Sequence, residues 1–211
     1  MKPKIIRADK QESLKRAADV IKRGGIVVYP TETFYGIGAD ATNEKAVKKI
    51  FQIKRRDEHM PILLIIGDEK MLFSVVKDVP EPAFKLIKRF WPGPLTIIFH
   101  AKETVIPLLH SYTGKIGVRL SGNYIARQLS LLSEVPITGT SANISGSPPC
   151  RKPQEVADQL PDVDLILDAG CLNSELPTTV VDVTETPFRI IRKGVISEKE
   201  ISKCLGEVLY A

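Results

Sequence analysis

Cysteine is scarce in this 211-residue chain: Cys150, Cys171 and Cys204 lie far apart and form no Cys-x-x-Cys pair. A structural zinc site built on thiolates is therefore not expected. So sparse and odd a count suits a reducing compartment better than a secreted disulfide scaffold. Long apolar runs are also lacking, and none approaches the roughly 20 residues of a membrane helix. The N-terminal Met1-Lys-Pro-Lys-Ile-Ile-Arg7 is basic but has no apolar signal core. The expectation is a cytoplasmic protein with no membrane partner. There is no Gly-x-x-x-x-Gly-Lys-Ser/Thr loop, which excludes a P-loop nucleotidase. His59, His100 and His110 are scattered and sit in no His-Glu-x-x-His or Ser/His/Asp pattern. They are assigned no catalysis, and no protein metal site is expected. Repeats, low-complexity tracts and a Pro/Gly/Ser-rich linker are missing, so one domain is read over residues 1–211, with its core at about 10–200.

What is present is a core and a mild basic excess. Hydrophobic residues make up 43% of the chain, enough for a packed interior, and the formal charge is +5. That charge suits an anionic ligand or partner without choosing between nucleotide, RNA and an ordinary basic surface. Helical and strand patterns alternate from end to end, which predicts an α/β fold. Asp9 with Glu12 reads as a capping box for a helix whose Leu14, Ala17, Ala18 and Ile21 face inward. Gly24-Gly25 stops it and Ile26–Tyr29 is a strand. Asn43 caps a second helix with Ala46, Val47, Ile50 and Phe51 on its inner face. Strands are expected at Ile62–Ile66, Leu95–Phe99, Ile116–Leu120, Val135–Thr138, Leu165–Leu167, Thr179–Val183 and Arg189–Arg192. Helices are expected at Pro82–Phe90, Tyr124–Leu132 and Pro153 to about Leu160, with a last one opened by the Ser197/Glu200 capping box.

Three polar clusters interrupt this pattern. Thr31-Glu-Thr-Phe-Tyr-Gly-Ile-Gly38 reads as a loop leaving a strand, the usual place for ligands in α/β folds. It reads equally as a turn whose glycines supply positive φ. Lys54-Arg-Arg-Asp57 can hold a triphosphate or an RNA backbone, or simply complement a helix C-terminus. Thr138-Gly-Thr-Ser-Ala-Asn-Ile-Ser-Gly146 can form a nest of N–H groups for phosphate, or a polar turn. Arg119 and Arg192 each end a strand and can grip a carboxylate or phosphate bidentately, or lie on the surface. The residues alone support no more than several polar or basic segments able to converge on an anion.

Their order along the chain adds more. Pro30-Thr-Glu-Thr-Phe-Tyr-Gly-Ile-Gly38, Lys54-x-Arg56, Phe90-Trp-Pro-Gly-Pro-Leu-Thr96, Gly117-Val-Arg119, Ser141-Ala-Asn-Ile-Ser-Gly146, Thr178-Thr-Val-Val-Asp182 and Ile191-Arg192 together resemble the YrdC-like family of threonylcarbamoyl-adenylate synthases, in its single-domain form. The resemblance implies an open α/β fold with a twisted, largely mixed sheet and flanking helices around a deep basic cavity. It implies a nucleotidyl transfer in which L-threonine, bicarbonate or CO2, and ATP give threonylcarbamoyl-AMP and pyrophosphate. The product serves threonylcarbamoyladenosine modification of tRNA through a partner transferase. Lys54 and Arg56 would be the catalytic pair on the ATP phosphates. Ser141, Asn143 and Arg192 would bind the nucleotide, and Thr33, Arg119 and Thr178 the threonine. Mg2+ would accompany the triphosphate. Direct binding of tRNA or double-stranded RNA is associated with the family as well.

The chain also departs from the pattern. Asp57 stands where many relatives have Pro after Lys-x-Arg, and its carboxylate can partly neutralise Arg56. Ile65 stands where many longer members have His. Gly146-Ser-Pro-Pro-Cys-Arg151 resembles the short form, whereas Thr178–Asp182 and Ile191-Arg192 resemble the longer one. The longer form's additional C-terminal domain is not expected here. A non-catalytic RNA-binding module, a relative of hydrogenase-maturation carbamoyltransferases and an inactive paralogue are the rival readings.

Overall fold

The computed structural model describes residues 3–205 and 208–210. Its strands are short, and many are apolar because helices cover one face of the sheet and part of the other. In chain order they are β1 (Lys4–Arg7), β2 (Val27–Tyr29), β3 (Gly36–Gly38), β4 (Leu63–Ile65), β5 (Leu95–His100), β6 (Lys115–Arg119), β7 (Ile137–Ser141), β8 (Leu165–Asp168), β9 (Thr179–Asp182), β10 (Phe188–Arg192) and β11 (Val208–Tyr210). The helices are α1 (Gln11–Lys22), α2 (Glu44–Lys54), α3 (Glu69–Val75), α4 (Glu81–Phe90), α5 (Tyr124–Ser133), α6 (Pro153–Gln159) and α7 (Glu198–Leu205), with a 3-10 turn at Pro107–His110.

All eleven strands join one sheet in the order β1-β8-β2-β3-β7-β4-β6-β5-β9-β10-β11. Pairing is mixed. The pairs β1–β8, β2–β8, β4–β6, β5–β9 and β10–β11 are parallel, and the other five are antiparallel. The fold class expected from the sequence is the one observed. Strand β7 is the seam: Ile137, Thr138 and Gly139 pair with β4, whereas Thr140 and Ser141 pair with β3.

Packing divides the two faces. On one, Leu14, Ala17, Ala18 and Ile21 of α1 and Ala126 and Leu129 of α5 close over Val27, Tyr29, Ile65, Ile137, Leu165 and Leu167. On the other, α2, α3, α4, α6 and α7 cover a larger core that includes Leu64, Ile97, Val118 and Val181. Helices α1 and α5 do not reach across the whole of their face. Alternate strand residues beyond them, Leu63, Ile98, Gly117 and Val180, are only half-buried and face a cavity. Strand side chains alternate between faces, so the same four strands build the core with one residue and the cavity floor with the next.

Several expectations need correction. Asp9 does not cap α1: the helix begins at Gln11 after Lys10, with no side-chain cap. The Ala8 N–H still pairs with the Asp168 carbonyl at 2.8 Å, so the chain follows β8 through residue 8 and leaves Asp9 in a turn, ion-paired with Arg7 at 3.1 Å. Residues 31–35 form the expected loop leaving β2, but the segment does not stay a loop, because Gly36–Gly38 is strand β3 antiparallel to β2. Its glycines are not there for positive φ. A Cβ on Gly38 would stand 2.7 Å from Tyr29 Cε1, and one on Gly36 3.0 Å from Tyr29 Cζ. The buried tyrosine ring takes the space that side chains would need. The Thr138–Gly146 cluster likewise begins as strand β7. Ile62 and Ile66 fall outside β4, bonding instead to the carbonyls of Leu109 and Arg119. The caps at Asn43 and at Ser197/Glu200 form as expected: Asn43 Oδ1 accepts the Ala46 N–H, and the Glu200 carboxylate accepts the Ser197 N–H at 2.9 Å.

Candidate active site

The uncovered part of the sheet forms the floor of a cavity of about 590 Å³, within the range of small-molecule sites. Leu63, Ile98, Gly117, Gly139 and Val180 make its apolar base, and Thr31, Thr33, Ser141 and Thr178 bring hydroxyls to its walls. Arg56, Arg119, Arg192 and Lys115 supply positive charge. Six residues expected from the sequence therefore converge: Thr33, Arg56, Arg119, Ser141, Thr178 and Arg192.

The β2–β3 hairpin delivers the first wall. Thr31 Oγ1 donates to the Phe34 carbonyl at 2.7 Å, accepts the Thr33 N–H at 3.0 Å and lies 3.0 Å from Thr33 Oγ1. These bonds fix a tight turn that holds both hydroxyls toward the cavity. The second wall is the meeting of β9 and β10. Arg192 Nε donates to the Thr178 carbonyl at 3.0 Å, and its NH2 donates to Thr178 Oγ1 at 2.6 Å. Burial and then the nearby Arg119 charge lower the pKa of Arg192. Such mutual repulsion makes the pair of arginines a favourable place for an anion. Gly194 lets this wall close. A Cβ there would stand 2.3 Å from the Pro177 carbonyl oxygen, where the Val195 N–H now bonds that oxygen at 3.0 Å.

Arg119, at the end of β6, is 4% exposed. Its NH2 donates to Glu32 Oε2 at 2.6 Å, and its buried Nε has no partner. Glu32 also accepts from Ser121 Oγ at 2.5 Å and from the Gly122 N–H at 2.9 Å. Burial opposes ionisation of Glu32, but Arg119, Ser121 and Gly122 outweigh it and hold its carboxyl below the usual range.

Arg56 turns its fork to backbone, Nε to the Met60 carbonyl at 3.1 Å and NH2 to the Pro61 carbonyl at 2.8 Å. Asp57 accepts the His59 N–H at 2.8 Å, and among the described residues no ion pair joins it to Arg56. The anticipated neutralisation by Asp57 is not the arrangement found. Lys54 and Asn143 stand one layer behind the wall. Lys54 is 1% exposed, and its Nζ donates to the carbonyls of Ser141 at 2.5 Å and Asn143 at 2.7 Å. Burial, and then the charge of Arg56, pull its ammonium down to about 7. Asn143 Nδ2 donates to the Ile144 and Ser147 carbonyls. The two side chains fold the loop that carries Ser141.

Sequence reasoning passed over Glu32, Ser121 and Lys115. Glu32 sat inside a segment already singled out, and an acid among hydroxyls was the signal available. Lys115 gave none, because its place beside Asp182 and Glu185 depends on the β5–β6–β9 register.

Several known proteins resemble this chain. Residues 19–194 match the Sua5/yciO/yrdC family, described as telomere recombination. The chain is 39% identical over 196 residues to a threonylcarbamoyl-AMP synthase of Pyrococcus abyssi, covering 92% of this chain and 58% of that protein. It is 35% identical to a putative threonylcarbamoyl-AMP synthase of Methanocaldococcus jannaschii, covering 97% of this chain and 99% of that protein. Among solved structures, P. abyssi Sua5 complexed with L-threonine superposes with a TM-score of 0.93 at 37% identity, over 99% of this chain and 62% of that one. The chain thus spans about three-fifths of the P. abyssi relative and nearly the whole of the M. jannaschii one.

Proposed function

The chain belongs to the Sua5/YciO/YrdC family, and from that premise we propose that it is a threonylcarbamoyl-AMP synthase. It would join L-threonine, bicarbonate or CO2, and ATP into threonylcarbamoyl-AMP and pyrophosphate, a nucleotidyl transfer. The observation that carries the reading is the meeting of Arg56, Arg119 and Arg192 with Thr33, Ser141 and Thr178 around one apolar-floored cavity. A carboxylate, a carbamate and a triphosphate each need cations and hydroxyls, whereas a nucleobase and a methyl group need an apolar surface.

The substrate supplies its own nucleophile. The threonine amine adds to CO2 and loses a proton, a carbamate oxygen attacks the α-phosphorus, and the bond to pyrophosphate breaks. The protein positions the reactants and stabilises the charge that develops. Arg119, which lines the same cavity as Thr33 and Thr178, takes the threonine carboxylate. Arg56 takes the phosphates, Ser141 takes the nucleotide, and Arg192 closes over it. Lys54 and Asn143 act through the Ser141 loop that they hold. Among the described residues no group of three or more His, Cys, Asp or Glu side chains is placed to hold a metal. Mg2+ accompanying the triphosphate would help offset its charge. The adenylate would pass to a transferase acting on tRNA.

The test is pyrophosphate release by purified protein supplied with ATP, bicarbonate and one amino acid at a time. Release is expected with threonine, and its loss by at least a hundredfold is expected in Arg119→Ala and Ser141→Ala. Release with carbamoyl phosphate instead of threonine would assign the chain to carbamoyl transfer. No release, together with tight and salt-sensitive tRNA binding, would make it an RNA-binding protein.

A further inference from the structure

Glu32 does not line the cavity, yet it holds the cation that does. Both of its carboxylate oxygens are engaged: Oε2 by Arg119 NH2 at 2.6 Å and Ser121 Oγ at 2.5 Å, and Oε1 by the Gly122 N–H at 2.9 Å. Ser121 Oγ also lies 3.4 Å from Arg119 NH2 and accepts the Asn123 N–H at 3.2 Å. The carboxylate is thus anchored to the turn that follows β6, and the guanidinium is anchored to the carboxylate. Arg119 meets Glu32 through NH2 alone, and its buried Nε–H has no acceptor. A guanidinium presents its donors in a rigid plane, so pinning one amino group on Glu32 restrains the whole group where it lines the cavity.

We propose that Glu32 is a positioning residue for the amino-acid substrate. It pins Arg119 by one amino group, so that the rest of the guanidinium is held on the cavity wall before the substrate carboxylate arrives. This rests on the synthase reading only for the identity of the substrate. A pre-aimed fork loses little side-chain freedom when the anion binds. An arginine free to turn would have to be ordered by the ligand, and affinity would fall without any contact to the ligand being deleted.

The experiment is direct threonine binding, by calorimetry and by the threonine-induced rise in melting temperature, on the full chain and on Glu32→Gln, Glu32→Asp and Arg119→Lys. Wild type is expected to bind. Glu32→Gln is expected to raise the threonine Kd at least tenfold while changing the ATP Kd less than threefold. In turnover, the same variant should raise KM for threonine more than it lowers kcat. Arg119→Lys keeps a cation for Glu32 but has no second edge to offer, so it should lose threonine binding despite folding. Equal threonine affinity in Glu32→Gln and wild type, or full affinity in Arg119→Lys, would overturn the proposal. Parallel losses of threonine and ATP affinity that track a lowered melting temperature would overturn it too, since they mark a purely structural carboxylate. If wild type binds ATP but no threonine, the synthase reading fails instead.

Discussion

At the scale of single residues, the main departure from expectation is Lys54. The sequence placed it among basic side chains and assigned it to phosphates, and nothing in its neighbours foretold that the side chain would turn inward. The reason is the loop opposite. Ser141 and Asn143 present main-chain carbonyls that need donors, and the lysine supplies them from the last turn of α2. A neutral amine keeps two N–H groups, enough for both carbonyls, so lowering its pKa to about 7 does not break the contact. The unfolded chain holds its lysine proton to about pH 10.4. Between these values the unfolded state binds a proton that the folded state lacks, so stability rises with pH. Relative to Lys54→Met, wild type is expected to gain on the order of 1 kcal/mol per pH unit between about 7.5 and 9.5. Urea unfolding of both proteins at several pH values measures this, and a pH-independent difference would show Lys54 to be charged in the fold.

At the scale of elements, periodicity identified most helices and central strands, because burial on one helical face or on both strand faces leaves a direct trace in the sequence. The Asn43 cap was legible for the same reason: the signal is local. Helix α3 escaped notice although its Asp68 cap, which accepts the Met71 N–H, is a local signal; β1 and β3 have non-local causes. β1 forms because β8 lies beside it, and β3 forms because β2 and β7 flank a glycine-rich stretch with little strand propensity of its own. Gly38 makes the point testable. Its missing Cβ is required by the ring of Tyr29, which is fully buried and tied to the Thr138 carbonyl at 2.9 Å. Gly38→Ala should therefore cost about 1–3 kcal/mol through overpacking. It should also weaken threonine binding by displacing the hairpin that carries Thr31 and Thr33. In a Tyr29→Ala background the same substitution should cost far less, and a double-mutant cycle by chemical denaturation reads the coupling. Additive costs would mean that the ring is not what excludes a side chain.

At the scale of the whole molecule, the candidate site exists because one face of the sheet is only partly covered. Apolar strands in an α/β fold ordinarily imply helices on both faces. The sequence of β9, Thr179-Val-Val-Asp182, gives no hint that its two valines have different work. Val181 is fully buried in the core, whereas Val180, facing the opposite way, lies on the cavity floor. Only the three-dimensional register, which sets Val180 across from Thr96 and Arg192, separates them. This is why the motifs along the chain pointed to candidate residues while the shape of the cavity stayed hidden. The two valines give the sharpest test of the arrangement. Val180→Phe adds volume to open space, so stability should change by less than about 1 kcal/mol. The ring would occupy the floor between Arg192 and Thr96, and binding of both threonine and ATP should fall at least tenfold. Val181→Ala removes buried methyl groups from a packed core and should cost about 1–3 kcal/mol. Below its melting temperature that variant should bind both ligands nearly as well as wild type. Thermal unfolding and calorimetric titration of the pair therefore predict opposite losses, and a Val180→Phe protein that binds normally would mean that the ligands do not use the open face of the sheet.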